Sequence, residues 1–236
     1  MSVFTTKGTK DTKVHEGQQP ETHSPMTTPK SDDTLQVWLH ALAAPTAAPA
    51  GGAAAALAGA LGAALDRMVA GLTGTRDRYA AVHQEAADAG ARAERLGTVM
   101  LALASRDAEA FGGFARALAM PAGTGDERQA RERAKAEALR AGADVQLELM
   151  AHLGEAAELA ESMAQRGLTS ALGDAATAVF LAAAGARSAY WAVRSNLDRA
   201  TDRQAAERAL TAARDLLENI EVVERRVRQL LAQRIP

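Results

Sequence analysis

Apolar positions along this chain recur at spacings of three and four and never settle into sustained alternation, and after Pro49 proline returns only at Pro121 and Pro236. The stretches between are rich in Ala, Leu, Glu, Arg and Gln, which favour helix, so the pattern predicts an all-α chain. Six helices are expected. The first covers about residues 31–43, capped by Ser31, Asp32 or Asp33, with Leu35, Trp38, Leu39 and Leu42 on one face. The second runs over 52–72 and stops at Gly74; the third spans 77–119, ahead of Pro121, with a weak point at Gly112-Gly113. The fourth begins near Thr124 with Asp126 and Glu127 in its first turn and ends at Gly167 after Arg166. The fifth covers 173–197, and the sixth starts at Thr201 or Asp202 and runs to 233.

In the sixth helix, Leu210, Ala213, Leu217, Ile220, Val223, Val227 and Leu230 form a narrow seam of the coiled-coil kind. A helix of ~40 residues is ~60 Å long, so the third and fourth fit an extended antiparallel pair. Short connections throughout favour an antiparallel bundle. Residues 1–31 break this pattern. They are rich in Thr, Lys, Ser and Pro, with Pro20, Pro25 and Pro29, and hold too little apolar surface to offset their ordering entropy. A disordered tail over 1–31 and one helical domain over 32–236 are expected.

Composition then removes whole classes of function. The chain has 236 residues, 47% hydrophobic and 24% charged, which suits a soluble globular domain. Without cysteine there is no disulfide, thiolate metal site or cysteine nucleophile. A net charge of -2 and 3% aromatics argue against nucleic acid as a partner. The longest uncharged run, 34–65, is too alanine-rich and too broken by proline for a membrane span, and no signal peptide is evident. A cytoplasmic location is the expectation. His83 and His152 have no second histidine at ligand spacing, so no metal is expected, and Lys135 between Glu132 and Glu137 reads as a solvated face.

Residues 43–74 are the most unusual stretch: two prolines and Gly51-Gly52 precede a helix built almost wholly from alanine and glycine. Such a helix buries little area per residue but lets other backbones come close. Gly51, Ala55, Gly59 and Ala63, and likewise Gly52, Ala56, Ala60 and Ala64, repeat every four residues, a spacing suited to close helix contact. In a dimer the contact could lie between subunits.

This segment, APTAAPAGGAAAALAGALGAALDRMVAGLT, resembles the opening of the cyclodeaminase/cyclohydrolase family, with its glycine-rich turn and small-residue helix. Further blocks follow in the family's order: Arg78-Tyr79 for its Lys-Tyr, then LALASRDAEAFGGFARALAMP for its Asp-x-x-Ala-Phe and Pro. The loop Gly167 to Asp174 comes next, followed by Ala192-Val193-Arg194-Ser195-Asn196-Leu197 for Asn-Val-x-Ile-Asn-Leu. The resemblance covers roughly 33–233. Departures fall on polar positions: the turn is one glycine short, Arg78 replaces a lysine, Gly173 a serine and Ala192 an asparagine.

The resemblance implies a folate one-carbon enzyme acting as a helical homodimer, with a tetrahydrofolate derivative as substrate and no further cofactor. It either hydrolyses 5,10-methenyltetrahydrofolate or cyclises 5-formiminotetrahydrofolate with loss of ammonia. Both reactions pass through a cationic amidinium-like carbon, which a carboxylate can stabilise while moving protons. Asp107, in the best-matched block, is the first catalytic candidate; the plain alternative is an ion pair with Arg106, Arg116 or another arginine. Asp174 is the second, or else simply an acid capping the fifth helix. Gly51 and Gly52 offer backbone N–H groups to an anion, or a flexible helix entry. Arg78 and Tyr79 suit a carboxylate and a ring, or a charged boundary; Asn196 suits a ligand amide contact, or a position near a helix end. The competing reading is a divergent bundle that binds folate-like anions without turnover, or that serves in assembly.

Overall fold

In a computed structural model of the chain, residues 29–198, 200 and 202–235 are described. Six α-helices account for most of them: α1 (Leu35–Ala43), α2 (Gly51–Gly74), α3 (His83–Leu118), α4 (Gly125–Arg166), α5 (Leu172–Leu197) and α6 (Arg203–Arg234). Short 3₁₀ turns at Asp77–Val82 and Thr169–Ala171 precede α3 and α5. The all-α expectation holds among the described residues. Most of the tail expected to be disordered lies outside them, but Pro29 is buried and its carbonyl accepts from Ser105 Oγ at 3.3 Å.

Helix ends follow the local chemistry. Thr124 and Glu127 form a reciprocal capping box at the start of α4, with Thr124 N–H donating to Glu127 Oε2 at 2.8 Å. Asp202 caps α6 through Ala205 N–H at 2.9 Å. α3 runs without interruption through Gly112-Gly113. Its start is six residues later than expected, because Tyr79 has non-helical backbone angles (φ -106, ψ 17) and its hydroxyl bonds to Thr169 at 3.0 Å. α1 also corrects the sequence reading. It buries Trp38 and Ala41 and leaves Leu35 and Leu39 exposed, and Trp38 Nε1 donates to the Lys30 carbonyl at 3.1 Å.

α2 lies at the centre, packed against α3 on one side and α5 on the other, while α4 closes on α3 and α5. Its buried residues are mostly Ala53, Ala55, Ala56, Gly59, Ala63, Val69 and Ala70. Bulk comes from the neighbours, through Met100 and Leu103 of α3 and Leu149, Met150 and Leu153 of α4, all fully buried. The α2–α5 contact is backbone against backbone. A Cβ on Gly62 would stand 3.1 Å from the Ala178 carbonyl oxygen, and one on Gly185 3.0 Å from that of Ala55. The small-residue repeat therefore brings helices of one chain together. α2 and the stretch Thr169–Leu197 are long and apolar enough, by those measures alone, to cross a bilayer. More than half of the most apolar part of each is buried inside the bundle.

α6 packs along α4 and α5 by the expected seam, with Ala213, Ile220, Val223 and Val227 buried and Leu210, Leu217 and Leu230 half-buried. Charge fixes its register. Arg226 reaches Glu161 of α4 at 2.7 Å, and the buried Glu224 accepts from both Arg187 of α5 and Arg228. Burial pushes the Glu224 carboxyl up, but the two guanidiniums outweigh it and hold the group below its ordinary range.

One buried charge has no such partner. Asp66 in α2 is 2% exposed, neither carboxylate oxygen has a hydrogen-bond partner, and burial raises its carboxyl well above the ordinary range. The unfolded chain then loses this proton first, so the native state binds more protons over the interval between the two pKa values. Stability must fall as pH rises from about 4, by up to about 1.4 kcal/mol per unit, until the folded group ionises. Asp66→Asn should remove this slope, which urea unfolding at a series of pH values will report; parallel slopes for the two proteins would refute the assignment.

Candidate functional site

The N-terminus of α2 is the point around which the site is built. Ala50, at the N-cap position, makes no side-chain cap, so the first N–H groups of α2 need an acceptor from elsewhere. Asp107 of α3 supplies it, accepting from the Ala53 N–H. A carboxylate there is also favoured by the helix dipole. On its other side Asp107 Oδ1 accepts from Gln146 Nε2 of α4 at 2.6 Å. Gly52 makes this possible: a Cβ there would fall 2.3 Å from Gln146 Nε2 and 2.5 and 2.6 Å from the two Asp107 oxygens. Glycine is the one residue that fits beneath this pair.

Asp107 is half-buried, and burial raises its carboxyl above the ordinary range, with the Gln146 and Ala53 hydrogen bonds opposing that rise. The ion pair considered from sequence does not form. Arg106 turns the other way and grips Glu148 of α4 at 2.8 Å.

Asp107 opens onto a cleft of about 310 Å³, lined also by Ala48, Ala50, Gly51 and Gly52 at the α2 entry and by Ala110, Phe111 and Phe114 of α3. Ala138, Leu139 and Gly142 of α4 and Ser188, Ala192, Ser195 and Asn196 of α5 complete it. Phe111 and Phe114 form a tilted aromatic wall, their ring centroids 6.1 Å apart. Asn196 lies close over α4, where a Cβ on Gly142 would come within 2.9 Å of its Nδ2. Beyond Leu139 and Asn196, which line both, a second, mostly apolar chamber of about 250 Å³ continues between α4 and α6. Asp107 is the one ionisable side chain among the described residues lining the first cleft.

Of the seven residues singled out from sequence, the fold brings together Gly51, Gly52, Asp107 and Asn196. It does not bring Arg78, Tyr79 or Asp174 to them. α2 is 24 residues long, which places Arg78 and Tyr79 beyond its far end, about 36 Å from Gly52. Tyr79 there accepts from the Thr169 N–H at 3.1 Å and pairs with its hydroxyl, while Thr73 Oγ1 accepts from Leu168 N–H at 2.9 Å. Tyr79 thus ties the turn before α5 to the end of α2. Arg78 is exposed, its guanidinium 6.0 Å from the Tyr79 ring. Asp174 is exposed in the first turn of α5, a position suited to the helix dipole. It stands 22 positions before Asn196 on the same helix, or about 33 Å.

Gln146 escaped the sequence reading. Its signal was a polar amide at a core-facing position, in register with Leu149, Met150 and Leu153 on a helix with a charged opposite face. Among the described residues no three His, Asp or Glu side chains are grouped to hold a metal.

The chain is 32% identical over 204 residues to a methenyltetrahydrofolate cyclohydrolase of Methylorubrum extorquens, covering 86% of this chain and 98% of the relative. Its fold matches the crystal structure of a formiminotetrahydrofolate cyclodeaminase from Thermotoga maritima with a TM-score of 0.77. That match covers 86% of this chain and 97% of the other at 24% identity, a likeness of fold. The family model for formiminotransferase-cyclodeaminase matches residues 34–215, and with the cyclohydrolase relative it shows that this chain belongs to the formiminotransferase-cyclodeaminase family.

Proposed function

We propose that this chain is a folate one-carbon enzyme that hydrolyses 5,10-methenyltetrahydrofolate to 10-formyltetrahydrofolate, with Asp107 as the proton-transfer group. The observation that carries this reading is a single half-buried carboxylate, set on the α2 N-terminus in a cleft with an aromatic wall. Family membership and the cyclohydrolase relative supply the substrate class. A lone, half-buried negative charge in this cleft attracts the cationic methenyl carbon, and the Phe111–Phe114 wall offers apolar contact to a flat ring system.

The proposed chemistry balances with one water. Asp107 takes a proton from water as its oxygen adds to the methenyl carbon. The resulting carbinol loses its hydroxyl proton to solvent as the bond from that carbon to N5 breaks. Asp107 returns its proton to N5, and the formyl group remains on N10. Burial suits Asp107 to this exchange, because a carboxyl raised above its ordinary range is a better base than an exposed one. The free enzyme should therefore lose kcat/KM on acidification through a midpoint above the ordinary Asp value of about 3.9.

The proposed assembly is a homodimer through the outer face of α2. Leu61, Met68 and Leu72 stand exposed there along one side of a helix whose other sides are buried. A row of exposed leucine and methionine fits a second copy. Sedimentation analysis should give a mass near twice 24.6 kDa, and a double Leu61→Glu, Met68→Glu variant should shift to the single-chain mass.

Turnover is tested with 5,10-methenyltetrahydrofolate and, in a parallel arm, 5-formiminotetrahydrofolate. Asp107→Asn should lower kcat by about 10²–10⁴-fold on the methenyl substrate. Unchanged turnover in that variant would sink the role of Asp107, and folate binding without turnover by the native chain would leave only a binding bundle. Gly52→Ala offers a finer check. Its methyl group must push the Asp107 carboxylate and Gln146 amide aside, so kcat/KM should drop by about 10²-fold while the helical CD signal persists.

A further inference from the structure

Gln146 is fully buried on α4, in the register of Leu149, Met150 and Leu153, where a leucine would fill the space without a polar group. Its Nε2 donates to Asp107 Oδ1 at 2.6 Å, while its Oε1 is buried with no partner. A buried carbonyl left unpaired lowers stability, so its presence in an otherwise apolar register asks for a reason. The neighbouring carboxyl supplies one. An ionised carboxylate needs a donor, whereas a protonated one needs an acceptor for its O–H, and a primary amide carries both. The terminal torsion of glutamine is broad and roughly two-fold, so a half-turn exchanges Nε2 and Oε1.

We propose that Gln146 is a positioning residue for Asp107 that serves both of its protonation states. It donates through Nε2 to the carboxylate and, after a half-turn of its amide, accepts through Oε1 from the carboxylic acid. One proton moves and no bond to carbon changes. The consequence for catalysis rests on the function proposed above, since a group that loads and unloads a proton in each cycle needs support in both forms.

No other charge competes for this role. α2 presents only the backbone of Gly52 and Ala53 to Asp107, and α4 presents Gln146. On α3 itself, Arg106 is engaged by Glu148 of α4 and Glu109 is exposed. Among the described residues of the cleft, α5 contributes Ser188, Ser195 and Asn196 and no ionisable group.

The test is a titration of the Asp107 carboxyl carbon by NMR in the full chain, assigned with Asp107→Asn and run beside the pH profile of kcat/KM. Gln146→Leu removes the bond from both forms, and because the bond to the charged form is the stronger one, the Asp107 midpoint should rise by only about half a unit to one unit, the difference between the two. The acidic limb of kcat/KM should move with it, through kcat rather than KM. Gln146→Glu keeps the shape and guards against misfolding of the leucine variant. It sets two carboxyls on one proton and should give a two-step titration with one midpoint displaced further upward. An Asp107 midpoint that stays in place in both variants overturns the proposal, while leaving the turnover test of Asp107→Asn intact. A midpoint that moves while the rate profile does not would uphold Gln146 as the partner of Asp107 and instead refute Asp107 as the proton-transfer group.

Discussion

The bundle depends on a central helix that keeps nothing at a distance. α2 has alanine or glycine at most of its buried positions, so α5 meets it at backbone range, through Gly62 against Ala178 and Gly185 against Ala55. Such a contact gains little from area, since a methyl group buries a fraction of what a leucine does. It gains instead from many atoms at van der Waals distance, which is worthwhile only where backbones touch along several turns. The larger side chains of α3 and α4, Met100, Leu149 and Leu153 among them, then reach over α2 and close the core around it. Enlarging any of these small residues would separate helices rather than crowd one side chain.

The same constraint creates the site. A helix that begins with Gly-Gly and has no capping side chain of its own leaves its first N–H groups open, and only a glycine at position 52 leaves room for Asp107 to approach them and for Gln146 to donate to Asp107. Packing and chemistry therefore share one group of atoms. The carboxylate at the start of α2 also faces the cleft, so a substitution there affects the helix start and the proposed reaction centre together.

The number of helices was legible because punctuation is local: Pro121, Gly167 and the Thr124–Glu127 capping box carry their meaning in a few residues. The late start of α3 was not, because it depends on Tyr79 meeting Thr169 across 90 positions of sequence. Nor was the exposed face of α1, where periodicity grouped Leu35 and Leu39 with Trp38 but only the tertiary fold decides which side is covered. At the site, the sequence blocks placed Asp107, Gly51, Gly52 and Asn196 in family order, and antiparallel packing of α2 and α5 brings the start of one to the end of the other. That packing also carries Arg78, Tyr79 and Asp174 to the opposite end, which no linear spacing could reveal. Gln146 was hidden for a different reason: an amide has no charge to attract notice, and its role exists only through the carboxyl beside it.

Electrostatics narrows what the cleft can do. Two influences act on Asp107 in opposite directions: burial favours the neutral acid, while the α2 N-terminus and the Gln146 amide favour the anion. Neither influence carries a full charge, so no guanidinium or ammonium locks the group in one state, in contrast to Glu224, which two arginines hold as an anion. A carboxyl balanced in this way responds strongly to whatever enters the cleft. In the proposed reaction, a cationic carbon brought near it favours the anion at the moment a base is required. Neutralisation of that carbon by added water withdraws the support and makes the acid form easier to reach, when a proton must be held for the leaving nitrogen. An arginine in place of Gln146 would hold the carboxylate more firmly and leave it a poorer carrier of protons.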